Sequence, residues 1–315
     1  MIKSIISLNG MCESTVKWRI TDLCNYNCSY CIRKRLTSIN LINFEENEER
    51  ILKAAKEVAR IIKELPGDVK LDLIGGEVSL FDLHSLLEIL YKECGSKLKR
   101  VNITTNMSAK VDYYNDLIKL CDDYGSEIGI TCSWHSEFIS MEDFLNKFKL
   151  IKSPNQKGIR IECVSRTNNK EDIRKLISIC EENNYSYFIE KDLSATKEDK
   201  ESLIAKSSSN KKDRYRIEYD DNKKIELYKT RNSFLTKSES GYTCKTEGYY
   251  CSRDYDYVYI EIDEHIGRPH LSCDCRNRNC LSNFHPIKEP MKCIHKECTL
   301  CGQISISQNK IDLLK

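Results

Sequence analysis

Six predicted strands alternate with predicted helices between residues 16 and 190. The strands are expected at 16–21, 69–74, 100–105, 127–133, 158–164 and 185–190, and the helices at 40–64, 83–94, 111–124, 142–151 and 170–183. The first strand alternates apolar and polar residues, whereas the longer segments follow a helical period. Repeats of this length suit right-handed crossovers between parallel strands. The pattern predicts an α/β fold, for which a flat doubly wound sheet and a curled barrel are both open.

Residues suited to binding or catalysis follow five of these strands. Ligands of parallel α/β proteins collect where the strands end at their carboxyl side. Two candidates are glycines, which let a backbone approach a ligand closely. His135 could move a proton or be an ordinary loop residue. Arg166 could pair with a carboxylate or be a solvated surface residue. The candidates are Cys24, Cys28, Cys31, Gly75, Gly76, Glu77, Thr105, Asn106, Ser133, His135 and Arg166.

Residues 24–31, here called the Cys loop, contain three cysteines separated by gaps of three and two residues. Three thiols at this spacing can converge on one small cluster, and iron–sulfur cubanes are normally held by four. A cubane with three protein ligands keeps one iron open to another molecule, which marks a reactive rather than a structural metal site. A zinc knuckle or three unrelated thiols are the alternatives. Zinc would want a second ligand pair nearby, and the next cysteine is Cys94, inside a helical pattern.

The Cys loop, with Tyr30 just before its last cysteine, resembles the signature of the radical S-adenosylmethionine (radical SAM) enzymes. The resemblance implies a partial (β/α)6 TIM-like barrel and a [4Fe-4S] cluster whose open iron is chelated by SAM. It also implies reductive cleavage of SAM to a 5′-deoxyadenosyl radical, which abstracts a hydrogen atom from the substrate. Val78 stands where the family often has proline.

The same resemblance assigns cofactor contacts to candidates at the strand ends. Gly75, Gly76 and Glu77 would bind the SAM amino group, and Thr105 and Asn106 would lie near the ribose or carboxylate. Further cofactor contacts are expected from Tyr30, Ser133, His135 and Arg166.

Composition changes after residue 190. Residues 194–213 are rich in Lys, Ser and Glu, which predicts a polar linker between a barrel over 1–193 and a second domain over 214–315. The second domain is expected to hold two hairpins, one over 215–228 and one between Cys251 and Cys273.

The second domain is rich in cysteine and resembles the α+β SPASM or twitch extensions of radical SAM enzymes. The resemblance implies at least one auxiliary [4Fe-4S] cluster, although no cysteine follows Cys301, where a two-cluster domain usually has one. Cys275 and Cys280 are left for a second cluster or for acid or hydrogen-atom chemistry. Zinc is the alternative, because thiolate spacing alone does not choose between the metals. The ligands expected are Cys251, Cys273, Cys298 and Cys301, with Cys293 and Cys244 as competitors.

The bulk composition limits the partners. A formal net charge of +2 gives no electrostatic case for nucleic acid or an acidic membrane surface. The sequence contains no run of about 20 apolar residues, so no membrane span is predicted. Seventeen cysteines without a secretory signal suggest reduced thiolates for metal, and hence a soluble, cytoplasmic protein.

The expected substrate is a peptide or protein that is crosslinked, epimerised or oxidised, with a flavodoxin or ferredoxin as electron donor. The fifteen residues before Val16 are too few for a winged-helix peptide-recognition domain. One alternative is a small-molecule or nucleotide-derived substrate for the same radical chemistry. The other is a non-enzymatic zinc-cluster protein that binds RNA through its basic, Tyr-rich C-terminal third, where interspersed acidic residues dilute the positive charge.

Overall fold

A computed structural model describes the barrel region almost continuously and the C-terminal third in short segments. The described residues are 2–7, 14–31, 44–152, 158–192, 194–208, 213–219, 224–229, 236–238, 241–245, 250–251, 254, 257–264, 266, 280–288, 291–292 and 297–298. Within this part of the chain no helix is both long and apolar enough to span a bilayer.

The described elements begin with a strand and end with four short strands. The strands are β1 (Ile2–Ser7), β2 (Ser14–Thr21), β3 (Val69–Gly75), β4 (Leu98–Thr105), β5 (Glu127–Trp134), β6 (Ile159–Ser165), β7 (Ser186–Lys191), β8 (Lys206–Ser207), β9 (Asp213–Tyr219), β10 (Lys224–Lys229), β11 (Thr236–Ser238), β12 (Gly241–Lys245), β13 (Tyr250–Cys251), β14 (Tyr257–Ile260), β15 (Met291–Lys292) and β16 (Glu297–Cys298). The helices are α1 (Phe44–Glu64), α2 (Leu83–Cys94), α3 (Val111–Asp123), α4 (Met141–Lys149), α5 (Lys170–Glu182) and α6 (Lys197–Ser202).

The main sheet runs in the order β14-β2-β3-β4-β5-β6-β7-β8. Strands β2 to β7 are parallel, and each lies beside the strand that follows it in sequence. Such a sheet is wound in one direction only, and it lacks the point of reversed strand order that defines a doubly wound sheet. The partial (β/α)6 barrel is therefore confirmed.

The helices cover one face of this sheet because both sets of elements carry apolar residues at the matching period. On β2, Val16 and Trp18 alternate with polar residues and are fully buried. On α1, Ile51, Ala55 and Val58 recur at helical spacing and are buried. α2 begins after Asp82, whose carboxylate accepts the Ser85 N–H (3.0 Å) as an N-cap.

The intervening strand positions face the inside of the barrel and are polar. Asp72 on β3 accepts from the Asn102 amide on β4 (2.7 Å) and lies 3.2 Å from Lys70. Arg100 donates to Asn102 (2.9 Å) and pairs with Glu127 on β5 (3.3 Å). These side chains are only half-buried, so the barrel interior presents paired charges rather than an apolar lining.

The C-terminal part of the chain supplies an edge strand of the barrel. β14 pairs in parallel with β2, with Val258 beside Val16 and Ile260 beside Trp18. The sequence predicted a strand over 257–262 as one half of a separate hairpin. Of that hairpin, the described residues show a single antiparallel bridge, between Ile260 and Ile266. Residues 257–260 thus belong to the barrel sheet, and the division into domains at residue 193 stays a prediction.

The other expected hairpin is confirmed, because β9 and β10 pair antiparallel. β1 adds to the outer side of β9, a pairing that the short apolar run at the N-terminus did not predict. The predicted linker is partly structured, since α6 lies within it and β8 pairs with β7.

Candidate functional site

The Cys loop leaves the carboxyl end of β2 and packs on the turn after β3. Gly76 N–H donates to Thr21 O and Glu77 N–H to Leu23 O, both at 2.8 Å. A Cβ added to Gly75 would lie 2.2 Å from Thr21 O, and one on Gly76 would lie 2.1 Å from Leu23 O. The close approach that these glycines allow is thus to the stem of the Cys loop, whereas the sequence suggested an approach to a ligand. A contact with the SAM amino group stays a prediction.

Gly76→Ala is expected to displace this stem, because the new methyl group meets backbone that cannot rotate away. Overpacking of this kind costs about 1–3 kcal/mol of unfolding free energy. We expect the variant also to lose the iron held by the Cys loop, measured by iron analysis after anaerobic reconstitution. Gly125→Ala is the control: Gly125 has φ +65° and open space around it, so alanine there costs about 1–2 kcal/mol in backbone strain and leaves iron binding intact. Full iron content in Gly76→Ala would contradict the assignment.

Glu77 lies at the centre of the predicted contacts and is fully buried. Its carboxylate accepts hydrogen bonds from Ser79 N–H (2.9 Å), the Thr105 hydroxyl (2.7 Å) and the backbone N–H of Asn106. Thr105 also bonds to the Tyr114 hydroxyl (2.9 Å). The structure therefore brings Glu77, Thr105 and Asn106 together, and in it the Glu77 carboxylate fixes the turn after β4.

That turn holds the first half of the Cys loop. The Asn106 amide donates to Asn25 Oδ1 (2.9 Å) and to Cys24 Sγ (3.8 Å). The Tyr26 N–H also donates to Cys24 Sγ (3.4 Å). Hydrogen bonds to a sulfur ligand favour its thiolate form and tune the potential of a cluster bound to it.

His135 lies beside the second half of the loop. Its Nδ1 is 2.8 Å from the Tyr30 hydroxyl and 3.4 Å from Cys28 Sγ. Burial lowers the pKa of His135 to about 4, so the ring is neutral near pH 7. In the structure His135 is within hydrogen-bonding distance of Tyr30 and Cys28, and a role in proton transfer stays a prediction.

Arg166 is paired in the structure rather than free. Its guanidinium forms an ion pair with Glu137 and lies 3.5 Å from Asp192. It also stacks over the Tyr30 ring at 4.9 Å from the centroid. Ser133, on the inward face of β5, lies beside Glu162 of β6. Contacts of Arg166, Ser133 and Tyr30 with SAM stay predictions.

The sequence patterns did not identify Glu137, Asp192 or Asn25 as candidate site residues. Asn25 lies inside the Cys loop, Glu137 comes two residues after His135, and Asp192 directly follows β7. Their positions near strand ends were the sequence feature that could have identified them. From the sequence alone, an acidic residue that binds a neighbouring loop looks the same as one that faces solvent.

The chemistry of the donor set fits an iron–sulfur cluster. Burial, with contributions from the neighbouring Cys24 and Cys31 thiols, raises the pKa of Cys28 to about 11. Burial likewise raises the pKa of Cys24, with contributions from Glu77 and Cys31. A bound cation reverses this unfavourable clustering of thiolates. Among the described side chains no three ligands surround a single ion, and a cubane instead needs its thiolates on separate irons.

The side chains of the six expected auxiliary ligands all lie outside the described side chains. Cys244 and Cys298 are directly opposite each other in the antiparallel pair β12–β16, and Cys251 lies opposite Met291. Cys273, Cys293 and Cys301 lie outside the described residues. The auxiliary cluster and its ligand set stay predictions.

Residues 18–132 match the sequence model of the radical SAM superfamily. The matched segment contains the Cys loop, Gly75, Gly76, Glu77, Thr105 and Asn106. Residues 18–132 thus match a radical SAM domain, and enzymes with this domain use SAM and a [4Fe-4S] cluster for radical chemistry.

Two solved structures illustrate the similarity. "Native anSMEcpe with bound AdoMet" is 17% identical at a TM-score of 0.43, with 57% of this chain and 51% of that chain covered, so the match spans about half of that protein. Coproporphyrinogen III oxidase (HemN) from Escherichia coli, described as a radical SAM enzyme, is 11% identical at a TM-score of 0.45, with 82% and 67% covered. No curated protein matches the chain.

Proposed function

We propose that the protein is a radical SAM enzyme that modifies a peptide or protein by crosslinking, epimerisation or oxidation. The observation that carries the radical chemistry is the position of the Cys loop. The loop lies at the carboxyl end of the partial barrel, with its stem against the turn after β3, Cys24 Sγ beside Asn106 after β4 and Cys28 Sγ beside His135 after β5. When bound there, the cluster and SAM supply a 5′-deoxyadenosyl radical that abstracts a hydrogen atom from the substrate.

The chain's own residues hold and orient this centre. Asn106 fixes the Cys24 end of the loop, and the neutral ring of His135 lies against Cys28. Their hydrogen bonds restrict the sulfur positions before any ligand arrives, which is how a preorganised site reduces the entropy cost of binding.

A peptide substrate is supported by two features. The second Cys-rich region resembles extensions that family members use when they modify peptides. The barrel interior carries half-buried charged and amide side chains, among them Asp72, Asn102 and Arg100, which suit a substrate with many hydrogen-bonding groups. A flavodoxin or ferredoxin is the proposed electron donor.

The test begins with anaerobic purification and analysis of iron, sulfide and zinc. The protein is then reduced in the presence of SAM, and 5′-deoxyadenosine is measured by chromatography. Short peptides encoded next to the gene are added as candidate substrates, and a mass change in one of them, dependent on SAM, is the expected result. Radical formation coupled to a small molecule instead would overturn the peptide proposal, and a colourless zinc protein would overturn the radical proposal.

A further inference from the structure

The loop after β5, residues 135–138, makes most of the described contacts with residues 26–30 of the Cys loop, and it is called the clamp loop here. His135 contacts Cys28 and Tyr30 as described above. Phe138 stacks on Tyr26 with the ring centroids 4.5 Å apart and the planes at 8°. Glu137, between them, binds Ser29 through both carboxylate oxygens. Three of four consecutive residues thus contact the Cys loop.

We propose that the clamp loop is a positioning device for the cluster-binding thiols and that Glu137 is its principal positioning residue. The proposal rests on the proposed function, since it assumes that the Cys loop binds a cluster.

Glu137 acts on the turn that separates the last two cysteines. The Cys31 N–H donates to Cys28 O (3.2 Å), which closes a turn over residues 28–31. Glu137 Oε2 accepts the Ser29 N–H (2.8 Å), and Oε1 accepts the Ser29 hydroxyl (2.5 Å). A carboxylate that accepts a free N–H at the start of a turn stabilises the turn as an N-cap does. The bond therefore fixes the separation of Cys28 and Cys31.

Arg166 anchors Glu137 to the rest of the barrel. The guanidinium pairs with Glu137 and with Asp192, which follow β5 and β7, and Arg166 itself follows β6. Its stacking on Tyr30 places it directly on the Cys loop. Side chains that follow β5, β6 and β7 therefore form one network that contacts residues 28–30. The opposite flank of the loop is held separately, by Asn106.

Residues behind a metal ligand set that ligand's orientation, and their loss commonly costs about 10- to 100-fold in metal affinity. Glu137→Gln keeps the size of the side chain but removes its charge and one of its two acceptor oxygens. Ser29 then loses one of its two carboxylate acceptors, and Arg166 loses its ion pair with Glu137 but keeps the one with Asp192. Both Glu137 and Arg166 are partly exposed, so the barrel core does not depend on them.

The first measurement is made on the metal-free full-length chain by hydrogen–deuterium exchange with mass spectrometry. Peptides covering residues 24–31 are expected to exchange about tenfold faster in Glu137→Gln than in the wild type. Glu142→Gln, an exposed carboxylate on α4, is the matched control and should leave their exchange unchanged. Unchanged exchange in Glu137→Gln would overturn the proposal without reference to any metal.

The second measurement follows the cluster in the reconstituted protein. The iron bound to the Cys loop is the amount bound by the wild type minus the amount bound by a Cys24/Cys28/Cys31→Ala variant. A chelator is expected to remove this iron about tenfold faster from Glu137→Gln than from the wild type. Ser29→Ala should give a smaller acceleration and add little to Glu137→Gln in the double variant, because both changes remove the same contact. Loss at the wild-type rate, or full additivity, would contradict the clamp.

The two proposals fail differently. If the wild type holds no more iron than the triple variant, the proposed function fails. If it holds that iron but Glu137→Gln binds and loses it as the wild type does, the clamp alone is wrong.

Discussion

Cys28→Ala is expected to abolish the reductive cleavage of SAM. Cys28 is buried, lies against His135 and Tyr30, and supplies one of three thiolates to the proposed cluster. A cubane with only two cysteine ligands has two irons without a protein ligand, so the site no longer presents one defined open iron. The measurement is 5′-deoxyadenosine formation under reducing, anaerobic conditions, where we expect a fall to the level without enzyme.

Cys180→Ala is the matched control for this variant. Cys180 is fully buried on α5, on the helical side of the sheet, so its loss removes the same sulfur atom from a packing position. We expect somewhat lower stability and unchanged SAM cleavage. If Cys28→Ala still cleaved SAM, the ligand assignment would be wrong.

Arg19→Ala is expected to lower the free energy of unfolding by about 3–5 kcal/mol. Arg19 is on β2, and its guanidinium donates to Asp22 (2.8 Å) and to Glu261 (3.1 Å). Both carboxylates are almost fully buried. Removal of the guanidinium takes away the cation that both buried carboxylates share, and breaking a buried ion pair by removing one partner is strongly destabilising.

Urea unfolding followed by circular dichroism measures this effect. Arg160→Ala is the control, because Arg160 is half exposed where it pairs with Glu162, and such pairs contribute about 0–1 kcal/mol. A cost for Arg19→Ala no greater than that of the control would mean that the network contributes little.

Local patterns were sufficient to predict most of the barrel. The six strands and five helices follow from periodicity and from breakers such as Pro66-Gly67, and their bounds in the structure differ from the expected ones by a few residues. The strand order could not be obtained in this way, since alternation alone describes a flat sheet equally well. The sequential hydrogen bonding of β2 to β7 decides that question.

Pairings between distant parts of the chain were beyond prediction. Arg19 and Glu261 are 242 residues apart, and nothing in either segment identifies the other. The same holds for β1 with β9, since a short strand carries little information about its partner.

For the candidate site, the sequence predicted which strand ends would meet but not how their side chains would be used. Glu77 and Arg166 were expected to face the cofactor, and both are engaged with neighbouring protein groups in the structure. Glu137 was missed because an isolated acidic residue carries no pattern. Such roles depend on the distances between loops, which periodicity does not encode.

The pairing of β14 with β2 has a consequence for the order in which the protein is made. The ribosome delivers β2 and the Cys loop early, together with β3, which covers one side of β2. The strand for the other side arrives much later, since β2 ends at Thr21 and β14 begins only at Tyr257. Until then the nascent sheet keeps an open edge next to three reduced thiols, a template for wrong pairing between chains. β14 must therefore be synthesised before the barrel can close beside the loop that is to receive iron.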